Sequence, residues 1–216
     1  MTHKTKNHYI CIKSSRSKRR TMNQQDTSWA ETMIVVDAEY ADSVAFDLTV
    51  NFERMLERRI PKADMALWLD CVALDGGVRE GGNNLQVVLV HERGTDGFNN
   101  FTPSRFDELS GKAFKDHLGE FSIMAISSEE IASKQQIITD IVATAVAEKS
   151  VKRIIIVPDT TYYDELRHIL RNADEDKRIT MLAMQPMPGG NFRQEILGYS
   201  LMQALGIHAD EIEKRG

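Results

Sequence analysis

Two apolar runs, MIVVD at residues 33–37 and RIIIV at residues 153–157, decide the fold of this chain. Each run is rich in β-branched residues and lacks the polar alternation of a strand that faces water on one side. Continuous apolar strands are typical of parallel sheets that are covered on both faces. We therefore expect Met33–Val36 and Ile154–Val157 to be neighbouring, central, parallel strands.

The segments around these runs alternate between predicted strands and predicted helices. We predict further strands at 66–74, 85–90, 121–126 and 179–184, and helices at 44–58, 103–118, 128–149, 160–170 and 192–205. Such alternation favours right-handed crossovers and helices on both sheet faces. The expected fold is a three-layer α/β/α domain of Rossmann-like type, with a mostly parallel central sheet. The glycine-rich segment 75–84 predicts one antiparallel hairpin, between the strands at 66–74 and 85–90.

Charge divides the chain into a basic arm and an acidic domain. Up to Met22 there are seven basic residues and no acidic ones, which leaves 20 basic and 32 acidic residues for the rest. We expect residues 1–26 to be a disordered arm, dispensable for folding, and residues 31–216 to be a single domain. The arm is either a nucleic-acid-binding tail or a disordered extension upstream of a true start at Met22. Its basic residues follow no sequence pattern, which favours the extension.

Several classes of protein are disfavoured by simple absences in the sequence. No apolar run approaches the length of about 20 residues that spans a bilayer, so we expect no membrane association. The two cysteines, Cys11 and Cys71, form no CxxC motif or disulfide framework, which favours a reducing, cytoplasmic location. There is no GxGxxG, GxxxxGK or GxSxG motif, which disfavours classical dinucleotide, P-loop and serine-hydrolase sites.

Acidic residues follow the predicted buried strands, where parallel α/β proteins bind their ligands. Asp37 and Glu39 follow the first run, Asp159 and Thr160 follow the second, and Asp140 lies on the helix before it. Carboxylates gathered at one sheet edge suit a hard divalent cation such as Mg²⁺ or Mn²⁺. Taken singly, each acid is explained more simply as a helix cap or a solvated strand end.

The segment IVVDAEY at 34–40 resembles the opening strand of NYN domains, which are PIN-like nucleases. That strand usually ends in Asp-Gly-(Asp/Glu)-Asn, so Asp37 and Glu39 match, whereas Ala38 and Tyr40 replace glycine and asparagine. Residues 134–159 are similar to the family's second block, in which an Asp-bearing helix precedes a buried strand and an acidic turn. Asp140 falls at the position of the helical aspartate. The resemblance therefore implies a PIN-like form of the expected α/β/α fold.

The turn after the second run departs from this resemblance. The family typically has Ser-Gly-Asp-Ser-Asp-Phe there, whereas this chain has PDTTYY at 158–163. The usual acids fall on Thr160 and Tyr162, and the one carboxylate, Asp159, comes a place early.

Two functions follow from the resemblance. The first is a metal-dependent ribonuclease in which Asp37, Asp140 and Asp159 hold Mg²⁺ or Mn²⁺ for RNA cleavage, with Glu39 and Thr160 in support. The second is a catalytically inactive module that binds RNA, a nucleotide or a protein partner at the same acidic edge. Convergence of the three aspartates on one point would distinguish the ribonuclease from the inactive module.

Overall fold

The computed structural model of the chain describes residues 29–213. The predicted arm at 1–26, with Cys11 and both candidate starts, lies outside the described residues. The strands of the described part are β1 (Thr32–Asp37), β2 (Ala63–Asp64), β3 (Asn83–His91), β4 (Phe101–Thr102), β5 (Ala113–Lys115), β6 (Gly119–Ser127), β7 (Arg153–Val157), β8 (Arg178–Ala183) and β9 (Arg193–Ile196). A seven-stranded sheet forms the centre, in the order β5-β6-β3-β1-β7-β8-β9, and β2 and β4 pair separately.

Helices cover both faces of the central sheet, which gives three layers. The helices of the described part are α1 (Ala38–Leu56), α2 (Met65–Asp75), α3 (Phe106–Leu109), α4 (Lys134–Ala147), α5 (Tyr163–Leu170), α6 (Leu197–Ala204) and α7 (Ala209–Glu213). One core packs the sheet against α1, α2 and α6, and the other packs it against α4 and α5. A 3₁₀ turn at Thr160–Tyr162 precedes α5. The α/β class with a mostly parallel sheet is therefore confirmed.

The two apolar runs are neighbouring central strands, as predicted. β1 pairs in parallel with β7, and Ile34 lies opposite Ile155. Side chains from both strands are buried on both faces of the sheet, with Met33 and Ile154 in one core and Ile34 and Ile155 in the other.

The segment 66–74 is helix α2, and the prediction of a strand there was wrong. Asp64 caps the helix by accepting a hydrogen bond from the Leu67 amide at 2.9 Å. Trp68, Leu69 and Val72 are buried at helical spacing, but Leu67 and Leu74 are apolar and exposed, which hid that spacing in the sequence. The predicted hairpin around 75–84 is therefore absent.

The antiparallel pair of the sheet lies elsewhere, between β5 and β6. Its strand β5 lies within the segment 103–118, where we predicted one helix and where only the four residues of α3 are helical. Gly111 follows α3 with a φ of 77°, in the left-handed region that glycine adopts readily. The chain then turns into β5, in which Phe114 stacks on Phe121 of β6 at 4.6 Å between ring centroids.

The predicted helix at 192–205 is split between the edge strand β9 and helix α6. Arg193–Ile196 pairs in parallel with β8 before α6 begins at Leu197. Gly206 follows the helix with a φ of 65°, in the left-handed region. Helix α4, predicted over 128–149, begins later, at Lys134 after the cap Ser133, and Ser127 still belongs to β6.

The order of the six parallel strands identifies where this fold binds ligands. In chain order they are β1, β3, β6, β7, β8 and β9, and their spatial order follows the 3-2-1-4-5-6 pattern of doubly wound folds. Strand order reverses between β1 and β7, so a ligand is expected beyond the carboxyl ends of these two strands. None of the helices at 29–213 combines the length and the apolar character that crossing a membrane would require.

Replacing Ile155 with alanine should lower the free energy of unfolding by about 2–5 kcal/mol, because the change leaves a cavity in the core. Ile155 is fully buried in β7, whereas Ile131 is 90% exposed and provides the matched control. Ile131→Ala should change stability by less than about 0.5 kcal/mol. Urea denaturation measures both values, and similar small losses in the two variants would contradict the burial of β7.

Candidate functional site

Asp37 lies at the switch point, fully buried at the end of β1. Its Oδ1 caps helix α1 by accepting a hydrogen bond from the Tyr40 amide at 3.0 Å. The same oxygen accepts a second bond from Nζ of Lys134 at 2.7 Å. Oδ2 of Asp37 is buried and has no hydrogen-bond partner among the described residues.

Lys134 joins Asp37 to Glu39, and we call these three residues the lysine centre. Nζ of Lys134 lies 2.9 Å from Oε2 of Glu39, and only 8% of the lysine side chain is exposed. Oε1 of Glu39 accepts a hydrogen bond from the amide of Glu92 at 2.8 Å, just after β3. The centre therefore connects the ends of β1 and β3 to the first residue of α4.

Burial and pairing act in opposite directions on the charges of the lysine centre. Burial raises the pKa of Asp37 above its usual value, although the bonds from Lys134 and Tyr40 partly offset it. Burial also opposes ionisation of Glu39, but the Glu92 amide and Lys134 hold its pKa below the usual value. Burial disfavours the charge of Lys134, yet its bonds to the two carboxylates raise its pKa above the usual range. The lysine is therefore an ammonium ion at neutral pH.

Asp159 lies at the same sheet edge, two residues beyond the end of β7. It caps the 3₁₀ turn, accepting hydrogen bonds from the amide and the hydroxyl of Thr161 at 2.8 and 2.7 Å. Burial, and then the charge of Asp37, raises the pKa of Tyr162 to about 12. Burial also raises the pKa of Tyr40, with smaller contributions from Asp159 and Asp37. Two tyrosines thus lie within the electrostatic range of both aspartates.

Asp140 does not join this group, although the sequence placed it there. It is exposed on α4, six residues beyond Lys134. In an α-helix this spacing carries a side chain about 9 Å along the axis and roughly 120° around it. The helix therefore directs Lys134, and not Asp140, toward Asp37. Glu39 lies in the centre as expected, and Thr160 begins the 3₁₀ turn beside Asp159.

Lys134 is the residue that sequence reasoning missed. It stands directly after the cap Ser133, in the first turn of α4. The positive end of a helix dipole disfavours a cation there. The sequence signal that could have indicated an ion pair is a lysine in the first turn of a helix, in a chain whose first strand ends in Asp-x-Glu.

A groove of about 490 Å³ opens beside the lysine centre. Asp42 shapes one wall, because its carboxylate accepts hydrogen bonds from the amides of Asn99 and Asn100 and so fixes the loop after β3. Phe46 on α1 lines the groove and is 54% exposed. The remaining lining includes Ala38, Phe98 and Phe106.

A second acidic group lies apart from the switch point. Ligand atoms of Asp70, Asp116 and His117 lie within 4.8 Å of one another, a spacing compatible with a metal ion. Burial raises the pKa of Asp70 to about 6, together with the hydrogen bond that its protonated carboxyl donates to Asp116 and the charge of Asp116. Two carboxyl groups at this spacing can also share one proton without a metal ion, so we assign no ligand to Asp70, Asp116 and His117.

The chain belongs to a family of unknown function (DUF6621), whose model matches residues 26–212. No curated protein and no solved structure matches it. The resemblance to NYN domains therefore stays a prediction from the sequence motif.

Replacing Lys134 with methionine should destabilise the protein by about 3–5 kcal/mol at neutral pH, because a buried carboxylate loses its partner. The loss should shrink at acidic pH. The pKa of Asp37 is already raised and would rise further, so the folded state keeps a proton that the unfolded state has released. Stability of the variant therefore falls as pH rises from the unfolded pKa through the folded one.

Urea denaturation at several pH values measures this dependence. Lys152→Met is the control, since Lys152 pairs with Asp176 at the surface with 48% of its side chain exposed. Equal losses for Lys134→Met at pH 4 and pH 7 would contradict a buried ion pair.

Proposed function

We propose that this member of the DUF6621 family is a catalytically inactive α/β binding module. In it, the ammonium group of Lys134 takes the place at which a PIN-like nuclease would hold its metal. The observation that carries this proposal is the position of Lys134, 2.7 Å from Asp37 and 2.9 Å from Glu39. The ammonium neutralises the acidic strand end without an outside cation.

The residues present do not fit the metal site that the family resemblance implies. Mg²⁺ requires about six oxygen ligands in near-octahedral geometry. Here Oδ1 of Asp37 and Oε2 of Glu39 already accept bonds from Lys134, whose charge repels a second cation. Asp140, the expected third ligand, faces solvent on α4. The function proposed is therefore binding and not hydrolysis.

The charge of this edge favours a protein partner over RNA or a nucleotide. Glu39, Asp42, Glu92 and Asp159 surround the switch point, and Lys134 is already paired. Arg93 also lies there, but its guanidinium pairs with Glu130 at 2.6 Å. Phosphates would be repelled by this set of acids, whereas basic side chains would be attracted.

The groove beside the centre adds an apolar contact to this acidic surface. The exposed ring of Phe46 and the aromatic walls suit an aliphatic side chain, while Asp42 and Glu39 lie at the rim. Aromatic side chains beside polar rims are typical of protein interfaces. We therefore expect the partner to be a protein segment that alternates basic and apolar residues.

A metal-dependent ribonuclease is the second candidate, because Oδ2 of Asp37 is buried and has no hydrogen-bond partner within the part of the chain that the structure describes. A cation bound there would satisfy this oxygen. In that case Asp37 and Asp159 would hold Mg²⁺ or Mn²⁺, with Glu39 and Thr160 in support.

Metal titration of the wild type and Lys134→Met separates the two candidates. We expect no rise in melting temperature with Mg²⁺ or Mn²⁺ in the wild type and no cleavage of single-stranded RNA. Lys134→Met should gain a Mn²⁺-dependent rise, because the freed carboxylates bind the cation and binding stabilises the folded state. Lys152→Met is again the control. A metal-dependent rise in the wild type that Asp37→Asn abolishes, together with RNA cleavage, would establish the ribonuclease instead.

A short peptide of alternating arginine and leucine tests the proposed partner chemistry. It should shift the amide NMR signals of the loop at 95–100, whereas a peptide of alternating glutamate and leucine should not. Phe46→Ser should weaken binding by about fivefold, which corresponds to losing about 1 kcal/mol of apolar contact. Tyr199→Ser, on α6 and 69% exposed, should leave it unchanged. Equal binding of both peptides would contradict charge recognition at this edge.

A further inference from the structure

Four arginines converge at the opposite edge of the sheet, where the strands begin. Arg153, Arg178 and Arg193 are the first residues of β7, β8 and β9. In the parallel register Arg153 lies opposite Arg178, and Thr180 lies opposite Arg193. Side chains at paired positions of neighbouring parallel strands point to the same face of the sheet. Side chains two residues apart in one strand also share a face. The three arginines therefore share the sheet face that packs against α2 and α6.

The end of helix α2 brings these side chains to one place. Nη1 of Arg153 donates a hydrogen bond to the carbonyl of Gly76 at 2.7 Å. A Cβ atom on Gly77 would lie 2.9 Å from Nη1 of Arg153 and 3.8 Å from Nη1 of Arg193. Both guanidinium groups therefore lie beside Gly77. Arg79 follows on the same loop and lines the same cavity of about 580 Å³, which we call the arginine pocket.

Few carboxylates pair with the cationic side chains of this pocket. Among the residues at 29–213, no carboxylate forms an ion pair with Arg79, Arg153 or Arg178. Arg193 pairs with Glu195, and Lys177 is occupied by three carbonyls at the end of α4. Asp174 and Glu175 are the acids that line the cavity, and both are exposed.

The environment of Arg153 reflects this concentration of charge. Burial lowers the pKa of Arg153, and the charges of Arg178 and Arg79 lower it further, while Glu31 acts weakly in the other direction. Like charges held together without a counter-ion destabilise a fold, and a bound anion would relieve the repulsion.

A purely structural role accounts for part of this arrangement. Arg153 and Arg79 cap the end of α2, since Arg79 donates to the carbonyls of Leu74 and Val78. These bonds use a single nitrogen, Nη1, of each guanidinium, and the other donors have no hydrogen-bond partner among the described residues. Arg178 makes no side-chain hydrogen bond within the described part of the chain. Helix capping therefore does not explain why Arg178 stands beside Arg153.

We propose that the arginine pocket binds a phosphate group of a phosphate ester, held by Arg153 and Arg178 and flanked by Arg79 and Arg193. Guanidinium groups bind phosphate oxygens in paired hydrogen bonds, which suits several arginines around one anion. The volume of the pocket is in the range of sites for small ligands. The phosphate belongs either to a free nucleotide or to an RNA strand.

This site is independent of the function proposed for the lysine centre. It lies at the amino ends of the strands, whereas the lysine centre lies at their carboxyl ends. Loss of binding at one site therefore leaves the other intact, and failure of either proposal is seen separately.

Calorimetric titration of the full chain with pyrophosphate, AMP and a short single-stranded RNA tests the proposal at low salt. We expect saturable binding of pyrophosphate and AMP, with amide NMR shifts at Gly76 and Gly77. Arg178→Glu should weaken binding by about tenfold or more, because it removes one of the paired guanidinium groups. Arg54→Glu makes the same change of charge at an exposed position on α1 and should leave affinity within about twofold.

The comparison of ligands identifies the source of the phosphate. RNA that binds more tightly than AMP, with a steeper salt dependence, indicates a nucleic-acid strand, whereas equal or weaker binding indicates a free nucleotide. Absence of saturable binding by all three ligands at up to about 10 mM would overturn the proposal. Equal weakening by Arg178→Glu and Arg54→Glu would also overturn it, because the attraction would then be non-specific.

Discussion

The ion pair between Asp37 and Lys134 is the interaction on which the arrangement of the carboxyl edge depends. Asp37 is fully buried at the end of the central strand β1, where an uncompensated carboxylate would be costly. Lys134 compensates it and also bonds Glu39, so the first turn of α4 is held against the start of α1. The Glu92 amide extends this network to the end of β3. Three separate crossovers thus meet at one buried ammonium.

The two edges of the sheet have opposite charge, for a reason that lies in the parallel topology. Helices begin at the carboxyl ends of parallel strands and end near their amino ends, so helix dipoles favour acids at the first edge and cations at the second. Asp37 at the start of α1 and Arg153 at the end of α2 follow this rule. Lys134 breaks it, and it does so where two carboxylates outweigh the dipole. The arginine pocket carries more positive charge than helix capping accounts for, because Arg178 donates to no carbonyl among residues 29–213.

The ammonium group of a lysine and a divalent metal ion can each neutralise buried carboxylates at the end of a strand. They differ in what they leave open, because a metal keeps coordination positions for water or substrate and an ammonium offers only hydrogen bonds. In the binding module proposed above, Lys134 would neutralise Asp37 and leave no coordination position at which a metal could activate water. In the alternative ribonuclease, a metal ion would take that place.

Much of the fold was predictable from local sequence, because strands buried on both faces have uninterrupted apolar runs. That rule located β1, β3, β7 and β8 and correctly paired β1 with β7. The strand β6 was also predicted, although its buried and exposed residues alternate. It failed for α2, where the exposed Leu67 and Leu74 made a helix resemble a buried strand. It also failed for β5 and β9, which are short edge strands defined by pairing with a neighbour rather than by their own composition.

The candidate site shows the same division. The sequence alone determined that Asp37, Glu39 and Asp159 lie at one sheet edge, because all three follow strands whose direction and adjacency could be predicted. Only the tertiary structure decided which residue of α4 meets them, since the rotation of a helix about its axis is set by packing against the sheet. That rotation brings Lys134 to Asp37 and turns Asp140 to solvent. The meeting of Arg153, Arg178 and Arg193 likewise depends on strand register, which hydrogen bonding between distant segments establishes.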